Sequence, residues 1–200
     1  MLAPDYPIRT DRLLLRPFRE DDLADLLAYQ SRPEVARYLY WEPWDETAAR
    51  AALERRVRQG TIDGPGQGTS LAVERRDTGT VIGDVLLQWL DGEHRQGETG
   101  FVFHPDHQGH GFAREATEEA LRLGFDGLGL HRIVGRCDAR NTASAALLAR
   151  LGLRREGHFV QNEYVKGEWT DELVYAVLAD EWRKGSRRER SGRHGSGGPE

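Results

Sequence analysis

The segment Gln108-Gly109-His110-Gly111-Phe112-Ala113 joins an apolar stretch to an amphipathic one, and it is the most informative part of the chain. Its two glycines remove side chains where the chain turns, so a ligand can approach bare backbone N–H groups. A helix that begins near Phe112 adds unpaired N–H donors and the positive end of its dipole. This corner suits a phosphate or pyrophosphate, although a tight turn that needs glycine for its geometry explains the two glycines equally well.

Two common phosphate-binding loops do not fit the same residues. A nucleoside-triphosphate loop requires Gly-Lys-Ser/Thr before its helix, whereas this chain has Gly111-Phe112-Ala113. A dinucleotide-binding fingerprint requires a third glycine within a parallel βαβ unit, but Arg114 occupies that position. The hairpins predicted around this segment also argue against a doubly wound parallel sheet.

The flanking sequence predicts an α+β fold, in which a mixed, mostly antiparallel sheet carries about four helices in the order β-α-α-β-β-β-α-β-α-β-β. Apolar runs bounded by turn residues predict the strands, which are Ile8–Phe18, Thr69–Arg76, Thr80–Leu90, Gly97–Phe103, Arg132–Asp138, Gly157–Val165 and Glu172–Leu178. Capping signals and apolar spacing predict the helices, which open at Glu20, run from Asp45 to about Arg58 and from Ala113 to about Leu128, and follow the cap Asn141 as far as Gly152.

Composition limits the class of protein. The chain has 200 residues, which favours one domain; we assign it to residues 1–182 and predict a disordered polar tail at 183–200. The net charge of −5 argues against a nucleic-acid partner. Cys137 is the only cysteine, so no internal disulfide can form, and no stretch approaches 18 apolar residues. We therefore expect a cytoplasmic protein without a signal peptide or a membrane segment.

Several motifs resemble one family when they are taken in order. The residues Gln108-x-x-Gly111-x-Ala113 resemble the Gln/Arg-x-x-Gly-x-Gly/Ala signature of the GNAT acyltransferase superfamily. The stretch Ile8–Arg16 resembles the opening strand of its Rim-type branch, the ribosomal-protein N-terminal acetyltransferases and their relatives. Further matches to that branch cover residues 8 to 182 and comprise Asn141-Thr142-Ala143-Ser144, Leu151–Gly157, Asp171–Tyr175 and Trp182.

The resemblance implies a site for acetyl-CoA between the fourth and fifth strands, which splay apart in this superfamily. Phe101, Val102 and Phe103, on the fourth strand, would offer backbone groups to the pantetheine arm. Asn141 would contact the pantetheine or the far end of the cofactor, although a simple helix cap explains it too. The pyrophosphate would be held by backbone N–H groups of Gln108, Gly109, His110, Gly111, Phe112, Ala113 and Arg114.

The implied reaction is the direct attack of a neutral amine on the thioester in a ternary complex. It needs a base for the amine proton and an acid for the departing thiolate. Glu163 matches a glutamate thought to act as the base in the Rim-type branch, and Ser144 matches a serine thought to protonate the sulfur. Glu98 on the fourth strand is the rival base, because these enzymes often carry a carboxylate there. Ser144 and Glu98 also have ordinary structural explanations, which are a local hydrogen bond at a helix start for Ser144 and a solvated or salt-bridged edge carboxylate for Glu98.

The loop Tyr38–Trp44 between the first two helices is the candidate wall of the acceptor site. Aromatic faces can hold a cationic amine, so we assign substrate binding to Tyr38, Trp41 and Trp44 and to the carboxylate of Glu42. A hydrophobic plug over the sheet explains these aromatic residues equally well. The histidine spacing near the glycine segment does not match a metal site, and we predict no metal.

The sequence thus predicts an acetyl-CoA-dependent N-acetyltransferase. The acceptor is a primary amine, either a protein N-terminus or a small molecule, and a homodimer is possible by analogy with the Rim-type branch. The alternative from another class is a non-catalytic acyl-CoA-binding or sensing module of the same fold. The presence of both Glu163 and Ser144 favours the enzyme.

Overall fold

The structure is a computed structural model that describes residues 1–185. Its helices are α1 (Leu23–Gln30), α2 (Pro33–Ala36), α3 (Glu46–Val57), α4 (Phe112–Arg122) and α5 (Thr142–Arg150), and residues 179–185 are also helical. The strands are β1 (Ile8–Arg9), β2 (Leu13–Pro17), β3 (Gly68–Arg75), β4 (Val81–Asp91), β5 (Gln96–Phe103), β6 (Arg132–Asp138), β7 (Arg154–Val165) and β8 (Glu168–Leu178). Within residues 1–185, no helix has both the length and the apolar character needed to cross a bilayer.

One sheet of eight strands in the order β1-β2-β3-β4-β5-β6-β8-β7 forms the centre of the molecule. All neighbouring strands are antiparallel except β5 and β6, which run parallel. The predicted α+β class and the mixed, mostly antiparallel sheet are therefore confirmed. Helices are more numerous than the four expected, because short helical turns flank α1 and a helix follows β8.

The predicted bounds differ from the observed ones at three places. The segment Ile8–Phe18 forms two strands, because the Thr10 hydroxyl accepts a hydrogen bond from the Leu13 N–H at 2.9 Å and turns the chain back on itself. The final hairpin is longer than predicted, since β7 begins at Arg154 and β8 at Glu168. Of the predicted tail, residues 183–185 continue the last helix and the remainder lies outside the described residues.

The two faces of the sheet are covered in different ways. On one face, α4 and α5 cover an apolar core that includes Leu121, Phe125 and Leu148. On the other face, α1 and α3 cover a smaller apolar cluster around Leu26 and Leu53. Because strand side chains alternate between the faces, both faces of the central strands are buried.

Buried polar groups fasten α1 and α3 to the sheet. The Tyr29 hydroxyl on α1 donates to Asp84 Oδ1 on β4 at 2.7 Å, and Arg56 Nη1 on α3 donates to the same oxygen at 3.1 Å. In a second network, Arg16 on β2 donates two hydrogen bonds to Asp22 and one to Glu74. A buried charge with its partner removed is strongly unfavourable, so these networks fix where the helices sit.

We expect Asp84→Asn to lower the free energy of unfolding by about 3 kcal/mol, because the Arg56 charge then stays buried without its counter-ion. Urea denaturation measures the change. The control is Asp77→Asn, which removes a partner of Arg75 from a turn where the Asp77 side chain is 63% exposed, and which should lower the stability much less than Asp84→Asn because solvent screens an exposed pair. Equal losses in the two variants would contradict the buried network.

Candidate active site

The sheet opens between its two parallel strands. β5 and β6 pair only over Gln96–Glu98 and Arg132–Val134, although β5 continues to Phe103 and β6 to Asp138. The strands therefore separate beyond Glu98 and Val134. A strand that leaves its neighbour exposes backbone N–H and C=O groups that need other partners, so this opening can bind a ligand along its edge.

Strand alternation shows which backbone groups of β5 face the opening. The His104 N–H donates to the Ile82 carbonyl of β4 at 2.9 Å, so the backbone groups of every second residue before it, including Val102, also point toward β4. Those of Phe101 and Phe103 point into the opening. The backbone groups of Val102 were expected to contact the pantetheine arm. They are turned toward β4 instead, so that expectation is wrong. Gln108 Nε2 donates to the Phe103 carbonyl at 3.2 Å and ties the following loop to β5.

The glycine segment after β5 presents unpaired donors. Gly109 and Gly111 have φ values of +80° and +82°, in the left-handed region that favours glycine. Apart from its chain neighbours, no heavy atom lies within 4 Å of the place that a Cβ on Gly109 would take. Within residues 1–185, the backbone N–H groups of residues 109–113 donate to no other group. An anion at the start of α4 would satisfy them.

α5 begins at the same edge of the sheet as α4, because each helix follows the carboxyl end of one of the two parallel strands. Asn141 Oδ1 accepts a hydrogen bond from the Ser144 N–H at 3.1 Å, so Asn141 has the capping role that its sequence context allowed. Ser144 lies half-buried in the first turn of α5. Two helix starts thus flank the opening between β5 and β6.

A cluster of charged side chains lies where β5 and β6 separate. Glu98 is the last residue of β5 that pairs with β6, and its Oε2 lies 3.4 Å from Arg136 Nε. Arg136 Nη1 lies 3.3 Å from Oε2 of Glu172, which is only 5% exposed. Asn162 Nδ2 donates to the same Glu172 oxygen at 3.1 Å. Of these four residues only Glu98 was predicted as a site residue, although a charged residue within an apolar strand, as at Arg136 and Glu172, is a visible signal in the sequence.

Tyr40 and Glu163 border the same cluster. The Tyr40 pKa is raised, first by partial burial and then by the negative charges of Glu163, Glu172 and Glu98. The Glu98 pKa is also raised, mainly by burial and also by Glu172, while the guanidinium of Arg136 opposes the shift. Three carboxylates therefore share one small region with the guanidinium of Arg136, and a cationic ligand would be attracted to it.

The residues of the aromatic loop between α1 and α3 differ in their environment: two tryptophan rings pack together, whereas Tyr40 and Glu42 are exposed to solvent. The Trp44 ring is half-buried in the cluster beneath α1 and α3, and Trp41 Nε1 donates to Gln30 Oε1 at 3.2 Å. These two rings, with centroids 5.9 Å apart, form the plug that the sequence also allowed. A substrate-binding role for Trp44 is therefore not supported. Tyr40 and Glu42 are exposed, and Tyr38 packs against arginines.

The turn between β7 and β8 closes this side of the opening. Lys166 Nζ donates to the Ala36 carbonyl of α2 at 2.7 Å. Arg140, just before α5, donates to Glu168 in the same turn at 2.8 Å. The hairpin end is thus tied both to the aromatic loop region and to the start of α5. The carboxylate cluster lies in a bounded cleft, while the glycine segment lies at the edge where the parallel strands end.

The lone cysteine does not contribute a nucleophile. Burial raises the pKa of the Cys137 thiol to about 11, and the nearby carboxylates of Asp138 and Glu172 add to the shift. At neutral pH the thiol stays protonated, and a thiolate is the nucleophilic form. Chemistry at this site is therefore left to carboxylate, hydroxyl and backbone groups.

Comparison with known proteins agrees with this geometry. The model of the acetyltransferase (GNAT) domain family matches residues 12–154. The chain is 34% identical over 171 residues to the spermidine N(1)-acetyltransferase of Vibrio cholerae, covering 86% of this chain and 95% of that protein. It is 26% identical over 188 residues to the ribosomal protein uS5-alanine N-acetyltransferase of Escherichia coli, covering 92% and 96%.

A solved structure is similar over nearly the same length. The acetyltransferase (GNAT family) from Bacillus anthracis superposes with a TM-score of 0.77 at 29% identity, covering 86% of this chain and 98% of that chain. The expected family and the expected likeness to ribosomal-protein N-acetyltransferases are both confirmed. The chain belongs to the GNAT family of N-acetyltransferases.

Proposed function

We propose that residues 1–182 act as one domain that transfers the acetyl group of acetyl-CoA to a primary amine by direct attack. The observation that carries the proposal is the opening between β5 and β6, which has free backbone groups along one strand and a glycine segment with unpaired N–H donors at its end. A long, thin ligand with phosphates at one end suits this shape. The carboxylate cluster supplies the groups that an amine acceptor needs.

The residues along the donor side fit acetyl-CoA. The backbone N–H groups of residues 109–113 would hold the pyrophosphate, with the positive end of α4 behind them. The backbone groups of Phe101 and Phe103 would bind the pantetheine arm, and Gln108 keeps the loop on β5. Asn141 orients the start of α5 beside them. When bound, acetyl-CoA supplies an acetyl group activated as a thioester.

Glu98 is the carboxylate that best suits the role of base. An amine with a pKa near 10 is almost fully protonated at neutral pH, so it must lose a proton before it attacks. Glu98 lies where the strands separate, and burial raises its pKa toward the range in which it can take up a proton. Glu163, on the outer hairpin, remains the second candidate. Ser144, in the first turn of α5, is the proposed proton donor to the departing thiolate.

The acceptor side favours a positively charged amine. The negative charges of Glu163, Glu172 and Glu98 act on the hydroxyl of the exposed Tyr40, and Glu42 lies on the same loop as Tyr40. Opposite charge raises the local concentration of a cation, and an aromatic face adds to the attraction. Relatives that acetylate spermidine and a ribosomal-protein alanine differ in acceptor size, but each acceptor offers a primary amine.

Thiol release from acetyl-CoA in the presence of amines tests the function. We expect release that depends on the amine, with kcat/KM about tenfold higher for 1,4-diaminobutane than for butylamine, because only the diamine carries a second charge into the carboxylate cluster. Short peptides with free N-terminal alanine or serine complete the panel. If CoA raises the melting temperature while no amine or peptide releases thiol, the chain is a non-catalytic acyl-CoA-binding module.

Gly109→Ala should weaken CoA binding about tenfold, because a side chain at this positive φ strains the loop and shields the N–H groups that the pyrophosphate uses. Isothermal titration calorimetry with CoA measures the affinity. Gly129→Ala is the matched control, since Gly129 also has a positive φ of +67° and open space around it but lies far along the chain from the loop. Equal affinities in both variants would remove the glycine segment from the cofactor site.

Glu98→Gln should lower kcat about 100-fold while CoA affinity holds, because the amide cannot accept the amine proton. Glu163→Gln should mainly raise KM for a cationic acceptor, since it removes one of the attracting charges. Steady-state kinetics with the best acceptor of the panel separate kcat from KM. A large loss of kcat in Glu163→Gln alone would move the base to Glu163.

A further inference from the structure

Arg136 lies between two carboxylates at the point where β5 and β6 separate. Its Nε is 3.4 Å from Glu98 Oε2, and its Nη1 is 3.3 Å from Glu172 Oε2. The register of the sheet places Arg136 opposite Val174, on the same face as Glu172. A guanidinium with a rigid fork of donors can contact two carboxylates at once and hold their relative positions.

Glu172, the partner of Arg136 on β8, is held in place by burial and by a hydrogen bond from β7. Glu172 is buried, and it also accepts a hydrogen bond from Asn162, which lies in a bulge of β7. The register shifts between Phe159 and Glu163, and Asp171 holds the bulge by accepting a hydrogen bond from the Gln161 N–H at 2.9 Å. Bulges of this kind re-aim side chains beside active sites.

We propose that Arg136 is a positioning residue for Glu98, and that Glu172 is its anchor. Arg136 holds the Glu98 carboxylate in its ionised form and directs it into the opening between β5 and β6. The proposal rests on the proposed function, because it assigns Glu98 the role of base. The chain of contacts runs from the β7 bulge through Asn162, Glu172 and Arg136 to Glu98.

The charges around Glu98 determine the direction of each effect. Burial and Glu172 raise the Glu98 pKa, whereas Arg136 lowers it. Among residues 1–185, Glu163 on β7 and Tyr40 on the aromatic loop also act in this region, and Glu172 acts on the Cys137 thiol as well. Removing Arg136 therefore favours the protonated form of Glu98, and removing the charge of Glu172 favours the ionised form. If Arg136 and Glu172 only stabilised their strands, removing them would not shift the Glu98 pKa in opposite directions.

The test is the pH dependence of kcat/KM in two variants. Arg136→Met should move the acidic limb upward by about one pH unit, because an opposite charge a few ångströms away typically shifts a carboxyl pKa by one unit or more. Glu172→Gln should move the limb downward. Arg136→Lys keeps the positive charge but lacks the forked donors of the guanidinium. It should restore part of the wild-type pH profile of kcat/KM. Unmoved limbs in both Arg136→Met and Glu172→Gln would overturn the proposal.

Arg154→Met is the matched control. Arg154 also contacts two glutamates, Glu156 and Glu181, and its side chain is 46% exposed, compared with 43% for Arg136. We expect it to leave the pH profile in place. A shift of the same size in this control would show that loss of any such arginine perturbs the profile, and it would also overturn the proposal.

A second readout does not depend on activity. Carbon-13 NMR of the glutamate carboxyl carbons in the ligand-free protein gives the titration of Glu98, assigned by the signal that disappears in Glu98→Gln. The Glu98 pKa should rise in Arg136→Met and fall in Glu172→Gln. If wild-type protein releases no thiol but these shifts occur, the proposed function fails and the contact stands. If the enzyme is active and the pKa does not move, only the role of Arg136 fails.

Discussion

The separation of β5 from β6 is the constraint on which the rest of the site depends. Where two hydrogen-bonded parallel strands part, their backbone N–H and C=O groups lose their strand partners and need other ones. Gly135 on β6 allows α5 to pack closely on the sheet beside the opening, because a Cβ there would lie 2.5 Å from the side chain of Leu148 on α5. α5 therefore packs directly on β6. The helix that follows each diverging strand starts at the same edge, so the opening and its two helix starts arise together.

The two proposed sides of the opening, one for the acetyl donor and one for the acceptor, are stabilised by different interactions. The donor side depends on the large apolar core beneath α4 and α5, which fixes the backbone that would contact the cofactor. The acceptor side depends on buried polar networks, in which Asp84 and Asp22 fasten α1 and α3 to the sheet. The tied hairpin turn then bounds the cleft from the opposite direction. Backbone held by the apolar core thus borders the proposed donor side, and charged side chains held by the fold border the proposed acceptor side.

This division explains what the sequence could predict. The turn at the glycine segment and the cap Asn141 could be predicted because each depends on backbone geometry within a few residues. The carboxylate cluster was not, because it forms only when β6, β7 and β8 are aligned and the bulge in β7 shifts the register. A one-residue shift moves side chains to the other face of a sheet. Arg136 and Glu172 are 36 residues apart, and no local pattern joins them.

The contrast between a donor site of backbone groups and an acceptor site of side chains suggests how relatives with one fold can use different acceptors. A donor site built from backbone N–H groups tolerates many changes of side chain, provided that the glycines and the diverging strands remain. The proposed acceptor site depends on the side chains of Glu98, Glu163, Glu172 and Tyr40, so replacing any of the three glutamates by a neutral residue changes its charge. Relatives named for spermidine and for a ribosomal-protein alanine both match this chain over most of its length. If the proposed acceptor site is correct, differences in acceptor are expected to lie in side chains of the cleft, because a shared fold does not fix a substrate.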